Sequence, residues 1–318
     1  AGQQKTAFAG VDGSWMVILD EMPVQKSPQV MVVAGRRQTI TVRNALVGEV
    51  WICSGQSNME FSLLGTRNGP AEVAAADHPG IRVARVPHVS ALYPSNELDL
   101  DWKVCSPENA RSFAGVPYFF GRKIYEHLDV PIGLIESAWS GTRIEPWIPL
   151  VGFQACSETK ALADSVAIWH FDTPTGRLNL RKFLDDAGTW VDDSSSAASK
   201  QTRTTLRRPR LPIPVGHQEP TKLFNGMINP LIPFAIRGAI WYQGESNGAE
   251  GISYYHKMKA LIGGWRSSWG QGSFPFYFVQ LADLGRSNMD NPEGGNGWSR
   301  LREAQRESLR IPNTGMAV

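Results

Sequence analysis

The chain has 318 residues, of which 42% are hydrophobic, and this is enough to bury the core of one large α/β domain or of two smaller ones. A formal net charge of +2, from 32 basic and 30 acidic side chains, gives no reason to expect nucleic acid or an anionic membrane as a partner. No apolar run reaches the roughly 18 residues of a membrane span, and the Cys count of 3 is too small for a disulfide framework.

The N-terminal part has the pattern of antiparallel β structure. Short apolar segments alternate with turn residues from Thr6 to about Val47, beginning with "GVDGSWMVILD". In "PQVMVVAGRRQTITVRNALV", Gly35 and Arg36 stand where a hairpin turn is expected. We therefore interpret residues 1–48 as the end of an N-terminal β-sandwich-like segment. The start "AGQQKTAFAG" has no initiator Met and no signal-peptide h-region, so we expect a trimmed or processed chain.

After Gly48 the pattern changes to buried strands alternating with amphipathic helices. This order predicts an α/β fold over residues 49–318, with a doubly wound, flavodoxin-like parallel sheet whose ligands bind beyond the carboxyl ends of its strands. The predicted strands are "EVWIC", "IRVARV", "VPIGLIES", "RGAIWY" and "FPFYFVQL", and the predicted helices are "VPYFFGRKIYEHL", "SYYHKMKALIGGWRSSW" and "RLREAQRESLR".

One region interrupts this rhythm. Residues from about 172 to 220 are poor in apolar side chains and rich in Ser, Thr, Arg and Pro, which predicts a long surface insertion with partial helix around 178–184. Its basic run is expected to be a solvated surface, with steering of anionic glycans as the alternative. The run comprises Arg203, Arg207, Arg208 and Arg210.

Three polar clusters follow three of the predicted strands, namely "SGQSNME", "SAWSGTRIEPW" and "YQGESN". Ser57, at a strand-to-helix turn, can offer its hydroxyl as a nucleophile while its backbone N–H points at a developing oxyanion. Gly141 can donate a second N–H, and Gln243 can donate a third hydrogen bond from its side-chain amide. A helix N-cap is the alternative role for Ser57.

These motifs together resemble one known family. "GQSNM", "SGTRIEPW" and "WYQGESN", in this order, are similar to the sialate O-acetylesterase family and related carbohydrate acetylesterases of the SGNH-hydrolase superfamily. The resemblance extends from "AGVDGSW" to "IPNTGMAV". It implies that Ser57 is the nucleophile and that the Ser57 and Gly141 N–H groups form the oxyanion hole with Gln243, although the superfamily more often places an Asn at the last position.

The resemblance also implies a base that the 318 residues do not contain. Such enzymes take it from a late Asp-x-x-His or similar segment, expected after the strand that "TGMAV" begins. We therefore expect either a fragment, whose C-terminal continuation or second fragment supplies the catalytic His and Asp, or a nucleophile without its base. A secreted or periplasmic location is also expected.

The chain carries six His that have to be weighed as a base, namely His78, His88, His127, His170, His217 and His256. His127 and His256 fall on predicted crossover helices, away from the strand ends, so a solvated or capping role is expected for them. His78 and His88, in a loop region not far after Ser57, can reach the rim of the site. His170 and His217 flank the insertion and can contact a sugar. None has the neighbouring carboxylate of a catalytic dyad in the sequence.

Other polar residues of the motifs have two interpretations each. Arg143 is expected either to contact substrate or to form a structural ion pair with Glu145. Glu245 either braces the loops or polarises the site, and Asn58 either shapes the turn or touches substrate. Metal ligation is not predicted, because no H-x-x-x-H or C-x-x-C spacing occurs. Eleven Trp are interpreted as mostly core or rim packing, with exposed sugar platforms as the alternative.

The sequence therefore predicts a cofactor-free carbohydrate O-acetylesterase that acts through a serine nucleophile and an acetyl-enzyme. The predicted partner is an acetylated carbohydrate, and the motifs do not distinguish sialic acid from xylose or another acetylated unit. The alternative is a catalytically impaired carbohydrate-binding protein that kept the pocket without the base.

Overall fold

The computed structural model describes residues 2–196, 207–211, 213–284 and 297–318. The strands are β1 (Gln25–Ala34), β2 (Thr39–Val47), β3 (Glu49–Gly55), β4 (His78–Arg85), β5 (Trp102–Cys105), β6 (Ile132–Ala138), β7 (Gly238–Tyr242), β8 (Phe276–Val279) and β9 (Thr314–Ala317). The helices are α1 (Ser57–Glu60), α2 (Gly69–Ala74), α3 (Pro107–Ala110), α4 (Gly115–Leu128), α5 (Leu150–Ala155), α6 (Lys160–Trp169), α7 (Pro174–Ser196), α8 (Tyr254–Trp269) and α9 (Gly297–Glu307). None of these described helices is both long enough and apolar enough to cross a membrane.

Seven of the strands form one mixed, mostly parallel sheet with the order β5-β4-β6-β3-β7-β8-β9. The chain enters this sheet at β3, in its middle, and the strands that follow are added on both sides. The two strands beside β3 are β6 and β7, so the order of the chain reverses there. Open α/β sheets bind their ligands at such a switch point. The predicted doubly wound fold is confirmed.

Strand β5 was not predicted. It is only four residues long and pairs antiparallel with β4 at the edge of the sheet. Its sequence "WKVC" follows the polar run "ELDLD", and so short a segment does not show a strand period of its own.

Two compact units divide the chain. The first unit consists of Ala1–Trp51, Phe61–Ala84 and Asp101–Ile135. In it, β1 and β2 form the predicted antiparallel hairpin, and the Gly35 N–H donates to the Gln38 carbonyl across the turn. Helix α4 buries Tyr118 and packs Gly121 against Leu134.

The predicted β structure in "GVDGSWMVILD" is absent from the described residues. Residues 2–24 contain no strand, because their apolar side chains do not pack against another part of the described chain. Val11 and Ile18 are fully or largely exposed. The boundaries predicted for a sandwich segment and for the insertion stay predictions.

The second unit consists of Ile52–Glu60, Arg85–Leu100 and Glu136–Val318. Its core is aromatic: Trp147 and Trp265 each pack edge-on against Trp241, with ring centroids 6.2 and 6.3 Å apart. Helices α5 and α8 lie in close contact, since a Cβ on Gly152 would be 2.2 Å from the Ala260 carbonyl oxygen. Most of the buried Trp thus have the packing role that the sequence indicated.

Helix α7 is much longer than the helix predicted around residues 178–184. Local polar contacts along the helix do not appear in the pattern of apolar residues. Examples are the i,i+4 ion pair of Lys182 with Asp186 and the Ser195 hydroxyl, which donates to the Val191 carbonyl. Of the basic run, Arg203 lies outside the described residues, and the Arg208 guanidinium lies over the Trp190 ring at 5.9 Å. Glycan steering by this run stays a prediction.

Gly55 ends β3 with a φ of +144° and allows the backbone to pass beside β7. A Cβ at this position would stand 2.1 Å from the Tyr242 carbonyl oxygen. We expect Gly55→Ala to lower the free energy of unfolding by about 2–4 kcal/mol, from steric overlap and from backbone strain. Urea denaturation measures the loss.

The matched control is Gly188→Ala, on an exposed face of α7 where a Cβ meets no atom within 4 Å. This variant is expected to be neutral or slightly stabilising, because Ala is the better helix former. Equal stability of the two variants would contradict the close approach at Gly55.

Candidate active site

The three polar motifs converge at one edge of the sheet, after the adjacent strands β6, β3 and β7. Backbone hydrogen bonds join the three turns. The Gln56 N–H donates to the Tyr242 carbonyl at 3.0 Å, and the Trp139 N–H donates to the Gly55 carbonyl at 3.2 Å. Side chains from all three motifs therefore face a common region.

Ser57 is the first residue of the one-turn helix α1. The N–H groups at the start of a helix have no partner within it. Among the described residues, neither the N–H nor the hydroxyl of Ser57 has a hydrogen-bond partner, and the residue is exposed. Gln56 closes the turn instead, since its carbonyl accepts from the N–H groups of Met59 and Glu60. Ser57 thus presents one free hydroxyl and one free N–H at the strand end.

Gly141 lies in the turn after β6 with a φ of +73°, and this conformation favours glycine. Its N–H has no acceptor in the part of the chain that the structure describes. Its carbonyl is held by the Gln218 side-chain amide at 2.9 Å. Gln218 Oε1 also accepts from the Arg143 N–H at 3.0 Å, so one side chain fixes both ends of this turn.

Glu60 connects the turn of Gly141 to the helix of Ser57. Its Oε2 atom accepts from the Ser140 N–H at 2.9 Å and from the Ser140 hydroxyl at 2.8 Å. Its Oε1 atom lies 3.1 Å from His88 Nε2. Hydrogen bonds to a carboxylate are stronger than those between neutral groups. Glu60 thus ties the turn that contains Gly141 to the helix that begins at Ser57.

Gln243 is fully buried at the end of β7. Its Nε2 atom lies within hydrogen-bonding distance of Gln56 Oε1 at 3.0 Å, the Thr142 carbonyl at 3.1 Å and Asn247 Oδ1 at 2.8 Å. The Tyr254 hydroxyl donates to its Oε1 at 2.7 Å. Both amide hydrogens thus have acceptors within the protein, and in this arrangement Gln243 braces the three turns. Donation to an oxyanion would require the exchange of one of these bonds, and this role stays a prediction.

A buried ionic cluster lies under the second and third motifs. Glu145 accepts from Lys257 at 2.6 Å, from Arg143 at 2.8 Å and from Asn247 at 3.0 Å. Burial raises the pKa of Glu145, but the charge of Lys257 and these hydrogen bonds outweigh it, so that the pKa lies below its ordinary value. Arg143 and Lys257 also bind Glu250. The structural ion pair, one of the two interpretations of Arg143, is present, and its substrate contact stays a prediction.

Asn58 and Glu245 bind each other across the first and third motifs. The Asn58 side-chain amide donates to Glu245 Oε1, and Glu245 Oε2 is buried with no hydrogen-bond partner among the described residues. Burial is the main cause that raises the pKa of Glu245. The pair braces the loops beside Ser57, and substrate contact by either residue stays a prediction.

Trp139 lies between two imidazole rings next to these turns. His88 and His217 stack nearly parallel to its indole, with ring centroids 4.3 and 4.5 Å away. His170 is buried in another position, against Tyr93 at 4.9 Å. None of the six His is hydrogen-bonded to Ser57 within the described chain.

Several residues of the site had no signal in the sequence analysis. Gln56 and Glu60 belong to the quoted motif "SGQSNME", but their side chains accept from donors on the other turns, and these partners depend on the strand order. Gln218 lies at the end of the predicted insertion, where nothing in the composition marks it. Asn247 was quoted only as the last residue of "YQGESN".

The site and fold were compared with known proteins. Residues 200–317 match the family described as carbohydrate esterase, sialic acid-specific acetylesterase. The chain is 30% identical to the sialate O-acetylesterase of Homo sapiens over 98% of its own length and 55% of that protein, and 29% identical to that of Mus musculus over 98% and 58%. A solved structure of a carbohydrate acetylesterase from Xanthomonas citri has a TM-score of 0.72 at 30% identity, covering 96% of this chain and 57% of that one.

The fold is thus a mixed α/β, SGNH-like architecture, similar to that of the carbohydrate acetylesterase from Xanthomonas citri. The resemblance of this chain to the sialate O-acetylesterase family is confirmed. The chain spans a little more than half the length of the curated relatives it matches.

Proposed function

We propose that this chain carries the nucleophile and the oxyanion hole of a carbohydrate O-acetylesterase that removes acetyl groups from sugar hydroxyls. The observation that carries the proposal is the pair of free donors on adjacent turns. The N–H groups of Ser57 and Gly141 have no acceptor in the described chain, and the Ser57 hydroxyl beside them is free as well.

In the proposed reaction, the Ser57 oxygen attacks the acetyl carbonyl carbon and its proton passes to a base. The carbonyl oxygen becomes an oxyanion, which accepts hydrogen bonds from the two free N–H groups. A well-placed donor of this kind is worth about 3 to 4 kcal/mol in the transition state. Collapse of the intermediate breaks the bond from the carbonyl carbon to the sugar oxygen, the base returns its proton to that oxygen so that the sugar leaves as a free hydroxyl, and an acetyl ester remains on Ser57. Water, activated by the same base, then releases acetate.

The described residues do not place a general base next to the Ser57 hydroxyl. None of the six His makes a hydrogen bond to its hydroxyl. We propose that a His and an Asp outside these 318 residues supply it, from a C-terminal continuation or a second fragment. The proposal requires no cofactor, and it includes a secreted or periplasmic location, where acetylated glycans are accessible.

The test of the proposal is acetate release from O-acetylated sialic acid and from acetylated xylose, combined with trapping of the intermediate. Rapid acid quenching during turnover is expected to leave one acetyl group on the peptide that contains Ser57, detected by mass spectrometry. An acetyl group on another residue, or acetate release without any adduct under burst conditions, would contradict the covalent route.

A second candidate function is a carbohydrate-binding protein with impaired catalysis. It is favoured by the absence of a His at Ser57 in the described chain, together with the stack of His88, Trp139 and His217. Calorimetric binding of acetylated sugar without acetate release, by every polypeptide that contains this chain, would support this candidate over the enzyme.

A further inference from the structure

A second cluster of reactive side chains lies in the second unit, among residues that the proposed reaction does not use. Cys156 directly follows α5, Glu158 lies in the 3₁₀ turn Ser157–Thr159, and His256 lies in the first turn of α8. The close packing of α5 on α8 brings Cys156 and His256 together, although 100 residues separate them.

The ligand atoms of the cluster have the spacing of a metal site. Cys156 Sγ lies 3.3 Å from Glu158 Oε2, and His256 Nδ1 lies 3.6 Å from Glu158 Oε1. All three residues offer ligand atoms within 4.8 Å of one another. Two ligands of a tetrahedral Zn²⁺ at bond lengths of about 2.0–2.3 Å stand roughly 3.3–3.7 Å apart. The two distances end on different oxygens of Glu158, so side-chain rotations have to draw the three ligand atoms, now within 4.8 Å of one another, closer around one ion.

An unsatisfied atom points to a missing ligand. His256 Nδ1 is buried and has no hydrogen-bond partner in the described chain. Buried polar atoms in proteins are nearly always hydrogen-bonded, so an exception calls for a cause. A metal ion placed between this nitrogen, the thiol sulfur and the carboxylate would give the nitrogen a partner.

We propose that Cys156, Glu158 and His256 form a zinc-binding site whose fourth position is open to water. A set of one sulfur, one nitrogen and one oxygen ligand favours Zn²⁺ over Mg²⁺ or Ca²⁺, which prefer oxygen alone. On binding, the thiol releases its proton to solvent, and the thiolate, the neutral imidazole and the carboxylate each donate one electron pair to the ion. The exposed Glu158 leaves room for the water ligand.

The site would fasten the end of α5 to the start of α8, one residue before Lys257, which binds Glu145 and Glu250. Its expected effect is thus on stability, because a ligand that binds only the folded state raises the melting temperature. The site was invisible to the sequence analysis, because its ligands do not share a local spacing motif.

Cobalt provides the direct test, because Co²⁺ occupies zinc sites and reports its ligands by absorption. Adding Co²⁺ to the untagged, metal-free chain is expected to give one equivalent of binding, a near-ultraviolet thiolate-to-cobalt charge-transfer band and intense visible bands of four-coordinate cobalt. Added Zn²⁺ should bleach these bands and raise the melting temperature.

The variants assign the ligands. Cys156→Ser should remove the charge-transfer band, and His256→Ala and Glu158→Gln should each weaken Zn²⁺ binding at least tenfold. The matched control is His127→Ala, which removes an exposed His at the end of α4 and should bind as wild type does.

Because Glu158 is exposed, Glu158→Gln tests the site without disturbing the core, and circular dichroism of the metal-free variants checks their folding. Absence of a charge-transfer band in the wild-type chain, or unchanged Zn²⁺ binding by Glu158→Gln and Cys156→Ser, would overturn the proposal. Neither readout depends on esterase activity, so the proposal stands or falls independently of the proposed function.

Discussion

Ser57→Ala is expected to reduce kcat/KM for a chromogenic acetate ester by about 10³-fold or more, in any active polypeptide that contains these 318 residues. The reason is that the attacking oxygen is removed, and only the oxyanion donors and substrate binding remain to accelerate hydrolysis. The melting temperature should be nearly unchanged, because Ser57 is exposed and its hydroxyl makes no hydrogen bond within the described residues. Initial rates and a thermal melt of the same preparation measure both quantities.

Ser62→Ala is the matched control. Ser62 is also exposed, lies five positions further along the chain, and makes no side-chain cap to the turn that follows it. Its activity and melting temperature should equal those of the wild type. Near-normal activity of Ser57→Ala would show that another residue attacks the ester, and the proposed function would have to be withdrawn.

The second large effect concerns the base. A serine hydroxyl near its free pKa is a poor nucleophile at neutral pH, and general-base assistance is worth about 10²- to 10⁴-fold. We expect the 318-residue chain alone to release acetate from an acetylated sugar slowly. Adding a C-terminal continuation, as one polypeptide or as a separate fragment, should raise the rate by a factor in that range. The two preparations are compared at equal concentration.

Histidine variants separate this prediction from its alternative. His217→Ala should change the rate of the longer preparation far less than Ser57→Ala does, because His217 stacks on Trp139 and is not hydrogen-bonded to Ser57. Equal and fast turnover by both preparations, lost on His217→Ala or His170→Ala, would identify one of these residues as the base instead.

The main elements of the sheet could be predicted because each carries its own signal. Buried runs such as "VWIC" and "AIWY" are apolar throughout, as strands covered on both faces are. The amphipathic stripe of α8 and its end at Gly270, with a φ of +65°, are equally local. Once three polar clusters follow three such strands, their meeting at one sheet edge follows from the topology.

What could not be predicted depends on contacts distant in sequence. The bond from Gln243 to Gln56 joins residues 187 positions apart, and it gives Gln243 a bracing role that its motif alone does not indicate. The apolar stretch around Val11 and Ile18 alternates like a strand, but no strand forms there among the described residues. A periodic pattern states which face is apolar, and it does not state whether a surface exists to cover that face.

Glu60 couples three positions of the site through one carboxylate. It lies on the helix of the proposed nucleophile, and its carboxylate satisfies donors from Ser140 and His88. A neutral or shorter residue at position 60 would deprive the Ser140 N–H and hydroxyl of this acceptor, and it would leave His88 Nε2 with the Ala138 carbonyl at 3.1 Å. Positions 60, 88 and 140 therefore form one coupled unit, in which the effect of a substitution at one position depends on the residues at the other two.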